Sequence, residues 1–174
     1  MTPNQLAKSG SEHGEQVALF AWAAVARMYG FEAADLYAQG VPVGAFKDSM
    51  FECKPVPALE WLHAIPNGGS RGDDAKSRAI RGGALKAEGV RTGIADIFLP
   101  APRQSKLLGL SYSGLYIEMK KPDLKPKKAE SKGGLSDEQI AFRDYALSVG
   151  YGWKVCYTWR EAADTLRSYI EWKG

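Results

Sequence analysis

The sequence predicts an α/β sandwich: a mixed sheet of about four strands flanked by helices. Three observations carry that prediction. Apolar residues recur at helical spacing near the amino terminus, between Ser136 and Gly150, and again after Thr158, the mark of helices with one buried face. Short β-leaning runs stand between them, at 59–65, 93–99, 115–119 and 153–157. No repeat and no domain-length linker interrupts the series, so 1–174 reads as one domain, long enough for a real hydrophobic core.

Ser9 or Ser11 can cap a first helix running to about Tyr29, with Gly30 as its terminator. Its stripe holds Glu15, Leu19 and Trp22, with Val17, Ala21, Ala24 and Met28 beside it. Glu15 thus stands at the polar end of an apolar face, where the helix dipole alone also favours an acid. From 35 to 58 the pattern turns irregular, rich in glycine, proline and aromatics, and reads as an insertion packed on the core. A strand is expected at 59–65, closed by the turn Pro66-Asn67-Gly68-Gly69. Arg71, Lys76, Arg78, Arg81, Lys86 and Arg91 then punctuate a segment expected to be helical and to break near Gly82-Gly83. Such a run is either a solvated face or a phosphate-contacting surface.

The run at 93–99 is apolar except at Asp96, and such runs read as buried strands. A carboxylate there must be paired, protonated or metal-bound. The run at 115–119 alternates: Leu115, Ile117 and Met119 point one way, Tyr116 and Glu118 the other, and Lys120 continues the second face. If the two strands are neighbours, Asp96, Glu118 and Lys120 surround one point. Lys121, Lys125, Lys127, Lys128 and Lys132 follow, in what reads as a mobile basic loop. Ser136 and Gln139 have the spacing of a capping box. Gln139 therefore either reaches back to Ser136 or toward the acids. Ile140, Phe142, Leu147 and Val149 are the expected buried face of that helix. Thr158 and Glu161 suggest a second capping box, opening a last helix with Leu166, Tyr169 and Ile170 on its apolar face.

Composition narrows the classes. Apolar residues make up 45% and charged residues 25% of the chain, values ordinary for a soluble globular protein. Net charge is only +3, so binding to a polyanion would depend on local clusters. No apolar run approaches the ~20 residues of a membrane span, and the first residues lack a signal-peptide core; cytoplasm is the expected location. Cys53 and Cys156 stand far apart and His13 and His63 form no cluster, so neither a zinc site nor a disulfide framework is expected.

Two carboxylates and a lysine at one point form the pattern of a metal-dependent phosphodiesterase. Carboxylate oxygens hold Mg²⁺ or Mn²⁺ while the ion keeps several waters for phosphate and nucleophile. The ion lowers the pKa of bound water and neutralises developing charge; the lysine orients that water or stabilises the charge.

These residues resemble the D…ExK core of the PD-(D/E)xK nucleases and, read with their flanks, the VRR-NUC branch of that superfamily. The matches run in order: Glu15 in the first helix, Ile65-Pro66-Asn67-Gly68, 89–96 (Gly-Val-Arg-Thr-Gly-Ile-Ala-Asp), 115–120 (Leu-Tyr-Ile-Glu-Met-Lys), 135–139 (Leu-Ser-Asp-Glu-Gln), and Gly150-Tyr151. One departure is Ala95, where the family usually carries proline; that is a backbone preference and leaves the acids intact. The resemblance implies a restriction-endonuclease-like three-layer fold. It implies Asp96 and Glu118 as metal ligands together with the Met119 backbone carbonyl. Lys120 would position the nucleophile, Glu15 would assist through water or a second metal, and Gln139 would support the site. Stand-alone members resemble structure-specific DNA nucleases, including phage or bacterial enzymes acting on branched or flapped DNA in repair and recombination, sometimes as homodimers. The rival reading is a non-catalytic nucleic-acid-binding protein on a nuclease scaffold, against which the complete acid, acid and lysine set argues.

Overall fold

The computed structural model describes residues 1–174 except 48–50, 67–74, 105–110, 129–130 and 173–174, and the side chains of 75–79 and 81 also lie outside it. In chain order the elements are α1 (Pro3–Leu6), α2 (Glu12–Tyr29), α3 (Phe31–Ala38), β1 (His63–Ala64), α4 (Ala75–Ala87), β2 (Ile97–Leu99), β3 (Arg103–Gln104), β4 (Ser111–Tyr112), β5 (Leu115–Met119), α5 (Asp137–Ser148), β6 (Gly152–Cys156) and α6 (Trp159–Glu171). Four strands form one sheet in the order β1-β2-β5-β6, with β3 and β4 paired as a separate hairpin. β1 and β5 run antiparallel to β2, whereas β6 runs parallel to β5. That parallel step needs a crossover, which α5 supplies. The sheet is therefore mixed and flanked by helices, as the sequence predicts.

Side-chain alternation divides the sheet into two faces with different tasks. Ile97, Leu99, Leu115, Ile117 and Met119 point into a core shared with Ala18, Leu19, Trp22 and Ala26 of α2 and Leu166 of α6. Each fully buried aliphatic side chain there contributes roughly 1.5–3 kcal/mol. The other face carries Phe98 and Tyr116, stacked with centroids 4.4 Å apart, and Phe142 of α5 meets Tyr116 edge-on at 5.0 Å. Ser11 caps α2 by accepting from the Gly14 amide at 3.0 Å, and Gly30, with φ of 100°, ends it.

Several expectations are corrected. The segment at 59–65 is mostly a 3₁₀ turn, Pro57–Trp61, and only His63–Ala64 pairs as strand. Proline opens that turn and leaves little room for an extended run. The part read as irregular from residue 35 begins inside a helix, α3, whose Phe31 stacks on Trp22 at 5.6 Å and whose Ala33 and Ala34 are fully buried. Helix α4 runs through Gly82 and Gly83 rather than breaking there. On α5 the buried residue is Ala146, while Leu147 and Val149 are exposed. At α6, Thr158 accepts from the Glu161 amide, but Glu161 reaches the Tyr157 amide rather than closing a box on Thr158.

Candidate active site

The β2–β5 register pairs Ile97 with Ile117, so Asp96, one residue before β2, falls opposite Glu118. Asp96 lies in a bend at the strand's entrance, half-buried, rather than within the strand. Its carbonyl accepts from the Ile65 amide at 2.7 Å, and its Oδ2 accepts from the Met119 amide at 2.8 Å. Gly93, with φ of 86°, turns the chain ahead of it so tightly that a Cβ would meet the Glu138 backbone carbonyl carbon at 2.7 Å. The Asp96 loop is thereby seated against the first turn of α5.

Glu118 is 1% exposed and Lys120 9% exposed. Glu118 Oε1 accepts from Lys120 Nζ at 2.7 Å and from Gln139 Nε2. Gln139 does both things that sequence left as alternatives. Its Oε1 accepts from the Ser136 amide at 3.0 Å, closing the capping box, while its Nε2 holds Glu118. Glu118 Oε2 is buried and has no hydrogen-bond partner among the described residues.

The electrostatics follow from burial. A 2.7 Å ion pair alone would hold Glu118 ionised. Desolvation outweighs it and, reinforced by the charge on Asp96, pushes the Glu118 carboxyl up to about 7. Burial also raises Glu12, against the pull of Lys120, and Asp96 raises it further. Glu12 is therefore the helix glutamate that shares the field of Asp96, Glu118 and Lys120.

Glu15, expected at the site, holds a backbone amide. It is buried, and its Oε2 accepts from the Trp159 amide at 2.6 Å, tying α2 to the first residue of α6. Glu12 and Glu15 both lie in the first turn of one helix, and periodicity could not rank them. The signal for Glu12 was its place directly after the Ser11 cap, at the start of α2.

The structure brings together Asp96, Glu118, Lys120 and Gln139. Met119 meets Asp96 through its amide. Of the basic residues, Arg91, Lys121, Lys127 and Lys128 are exposed. Lys125 is held by Glu161 at 2.6 Å and Lys132 by Asp137 at 2.6 Å. Tyr157 also donates to the Gly133 carbonyl at 3.1 Å. The loop expected to be mobile is thus fastened at three points. Arg71 and the turn at Asn67-Gly68-Gly69 lie outside the described residues, as do the side chains of Lys76, Arg78 and Arg81.

Among the described residues, no three His, Cys, Asp or Glu side chains are grouped to hold a metal ion. The donors present are carboxylate oxygens, one of them buried and unpartnered. They fit a hard cation of the Mg²⁺ type, which takes one or two carboxylates and completes its shell with water and phosphate.

No family model matches the sequence, and no curated protein matches it. Among solved structures the chain is similar to one described as a VRR_NUC domain protein, at 20% identity and a TM-score of 0.46, over 69% of this chain and 75% of that one. At that identity and score the likeness assigns neither family nor activity. No described helix is long and apolar enough to cross a membrane.

Proposed function

We propose that the chain is a nuclease that hydrolyses phosphodiester bonds of DNA with Mg²⁺ or Mn²⁺. The observation that carries this reading is the single point of Asp96, Glu118 and Lys120, with Glu118 Oε2 buried and unpartnered. Asp96 and Glu118 would hold the ion, the Met119 carbonyl being a further candidate ligand from the VRR-NUC resemblance. The bound ion would neutralise phosphate charge and lower the pKa of a bound water. Lys120, 2.7 Å from Glu118, would stabilise negative charge building on the phosphate or steady the attacking water. Gln139 keeps the Glu118 carboxylate oriented, and Glu12 adds negative charge at the rim. The exposed Arg91, Lys121, Lys127 and Lys128 supply phosphate contacts that position DNA without reading its sequence. The resemblance makes branched or flapped DNA the expected form and a homodimer the expected assembly.

Cleavage of labelled single-strand, duplex, flap and four-way-junction DNA, with EDTA, Mg²⁺ or Mn²⁺, tests the reading. Asp96→Ala and Glu118→Ala should each abolish metal-dependent cleavage while DNA binding, which rests on cations, stays mostly intact. Near wild-type turnover by either variant would remove the assignment.

A further inference from the structure

The strand registers align four aromatic side chains in one row across the sheet. His63 pairs with Phe98, Phe98 with Tyr116, and Tyr116 with Trp153. The row lies on the face of Glu118, because Tyr116 and Glu118 are two residues apart on one strand. It therefore runs beside the acids at a distance of roughly 7 Å, the rise of two strand residues. Three of the rings touch: His63 stands edge-on to Phe98 at 5.7 Å, and Phe98 stacks on Tyr116 at 4.4 Å. Gly114 makes room for this, since a Cβ there would meet the Phe98 ring at 2.7 Å.

The two halves of the row differ. Tyr116 is covered by Phe142 at 5.0 Å and flanked by Tyr151 at 5.4 Å. At the other end His63 is exposed on the edge strand β1. Its Nδ1–H donates to the Trp61 carbonyl at 2.8 Å, which fixes the ring's attitude. A fixed, exposed ring braced edge-on by a second ring, on the site's face, is a surface for a flat partner. On the nuclease reading a phosphate would sit at the acids, and the exposed Lys121 follows Lys120 there, which makes that partner a nucleobase rather than a protein side chain.

We propose that His63, braced edge-on by Phe98, is a stacking platform for an unpaired base next to the phosphate that Asp96 and Glu118 would engage. This rests on the nuclease reading for its substrate and sharpens it: the strand at the site carries a base free of its partner. A base in a duplex is already stacked and cannot use the platform.

Binding in EDTA tests the platform without any cleavage. Fluorescence anisotropy would compare a labelled oligothymidylate with an abasic oligomer of equal length, which has the same phosphates and no bases. Wild type should bind the thymidylate more tightly, and His63→Ala should lose about tenfold of affinity for it. His63→Phe, which keeps a ring, should retain the affinity, and neither variant should change binding to the abasic oligomer. Unchanged thymidylate binding by a folded His63→Ala protein overturns the platform, and so does an equal loss on both oligomers. The nuclease reading fails separately: wild type that binds but never cuts with Mg²⁺ or Mn²⁺ sinks that reading, whereas cutting by wild type with His63→Ala indifferent to bases sinks the platform alone.

Discussion

At the scale of single residues, Glu118 shows how burial decides chemistry. Its carboxyl is held near pH 7 by desolvation and by Asp96, in spite of Lys120. A carboxyl whose folded pKa lies above its unfolded value binds its proton more tightly in the native state. That contribution to stability is complete below the unfolded value of 4.5 and is lost as pH rises to about 7. The loss is at most roughly 3 kcal/mol. Denaturant midpoints in EDTA should therefore fall from pH 4.5 to about 7 more steeply for wild type than for Glu118→Gln, which cannot titrate. Parallel curves would mean that Glu118 is ionised throughout. This part of the site was legible from alternation alone, because Glu118 and Lys120 had to share a face. The buried Oε2 was not, since sequence periodicity says nothing about which of two carboxylate oxygens finds a partner.

Elements explain what was read and what was missed. Gln139 was visible because Ser136 three residues earlier defines a capping box; that one amide could cap a helix and hold an acid needed the position of α5 over the sheet. On α5 the apolar spacing predicts Leu147 and Val149 in the core, yet both are exposed, and the helix meets the aromatic and carboxylate face of the sheet through Gln139 and Phe142. Glu15 illustrates the same limit. Its carboxylate is the acceptor for the first amide of α6, a group that no residue within α6 can satisfy. Glu15→Ala should leave the buried Trp159 amide unpaired and cost about 1–3 kcal/mol. Glu15→Gln, which keeps a carbonyl acceptor, should lose less stability and keep cleavage. Glu12→Gln should do the reverse, lowering cleavage with little change in the melt. Paired melts and cleavage rates of the three variants check this, and a dead but fully stable Glu15→Gln enzyme would return Glu15 to the chemistry.

For the whole molecule, one face of the sheet is given to stability and the other to the site. The layers were predictable because apolar periodicity reports burial directly. The Trp22, Asp35, Arg160 and Arg167 network that joins α2, α3 and α6 was not, because its members are distant in sequence. Asp96 raises both Glu118 and Glu12, and a divalent ion that bound only the native state would relieve that repulsion. Linkage makes the gain RT ln(1 + [L]/Kd), roughly 2.7 kcal/mol at ~100 times Kd. In a domain of this size that moves Tm by roughly 5–10 °C. Asp96→Asn retains a carbonyl able to accept from the Met119 amide, so the bond at 2.8 Å survives while one negative charge goes. In EDTA this variant should melt at or above wild type, because Asp96 is a charge that raises both Glu118 and Glu12. With millimolar Mn²⁺ the wild type should gain several degrees and the variant little. If instead Asp96→Asn melts far below wild type in EDTA, and wild type ignores Mn²⁺, the carboxylate is there to hold the β5 backbone and no ion is bound.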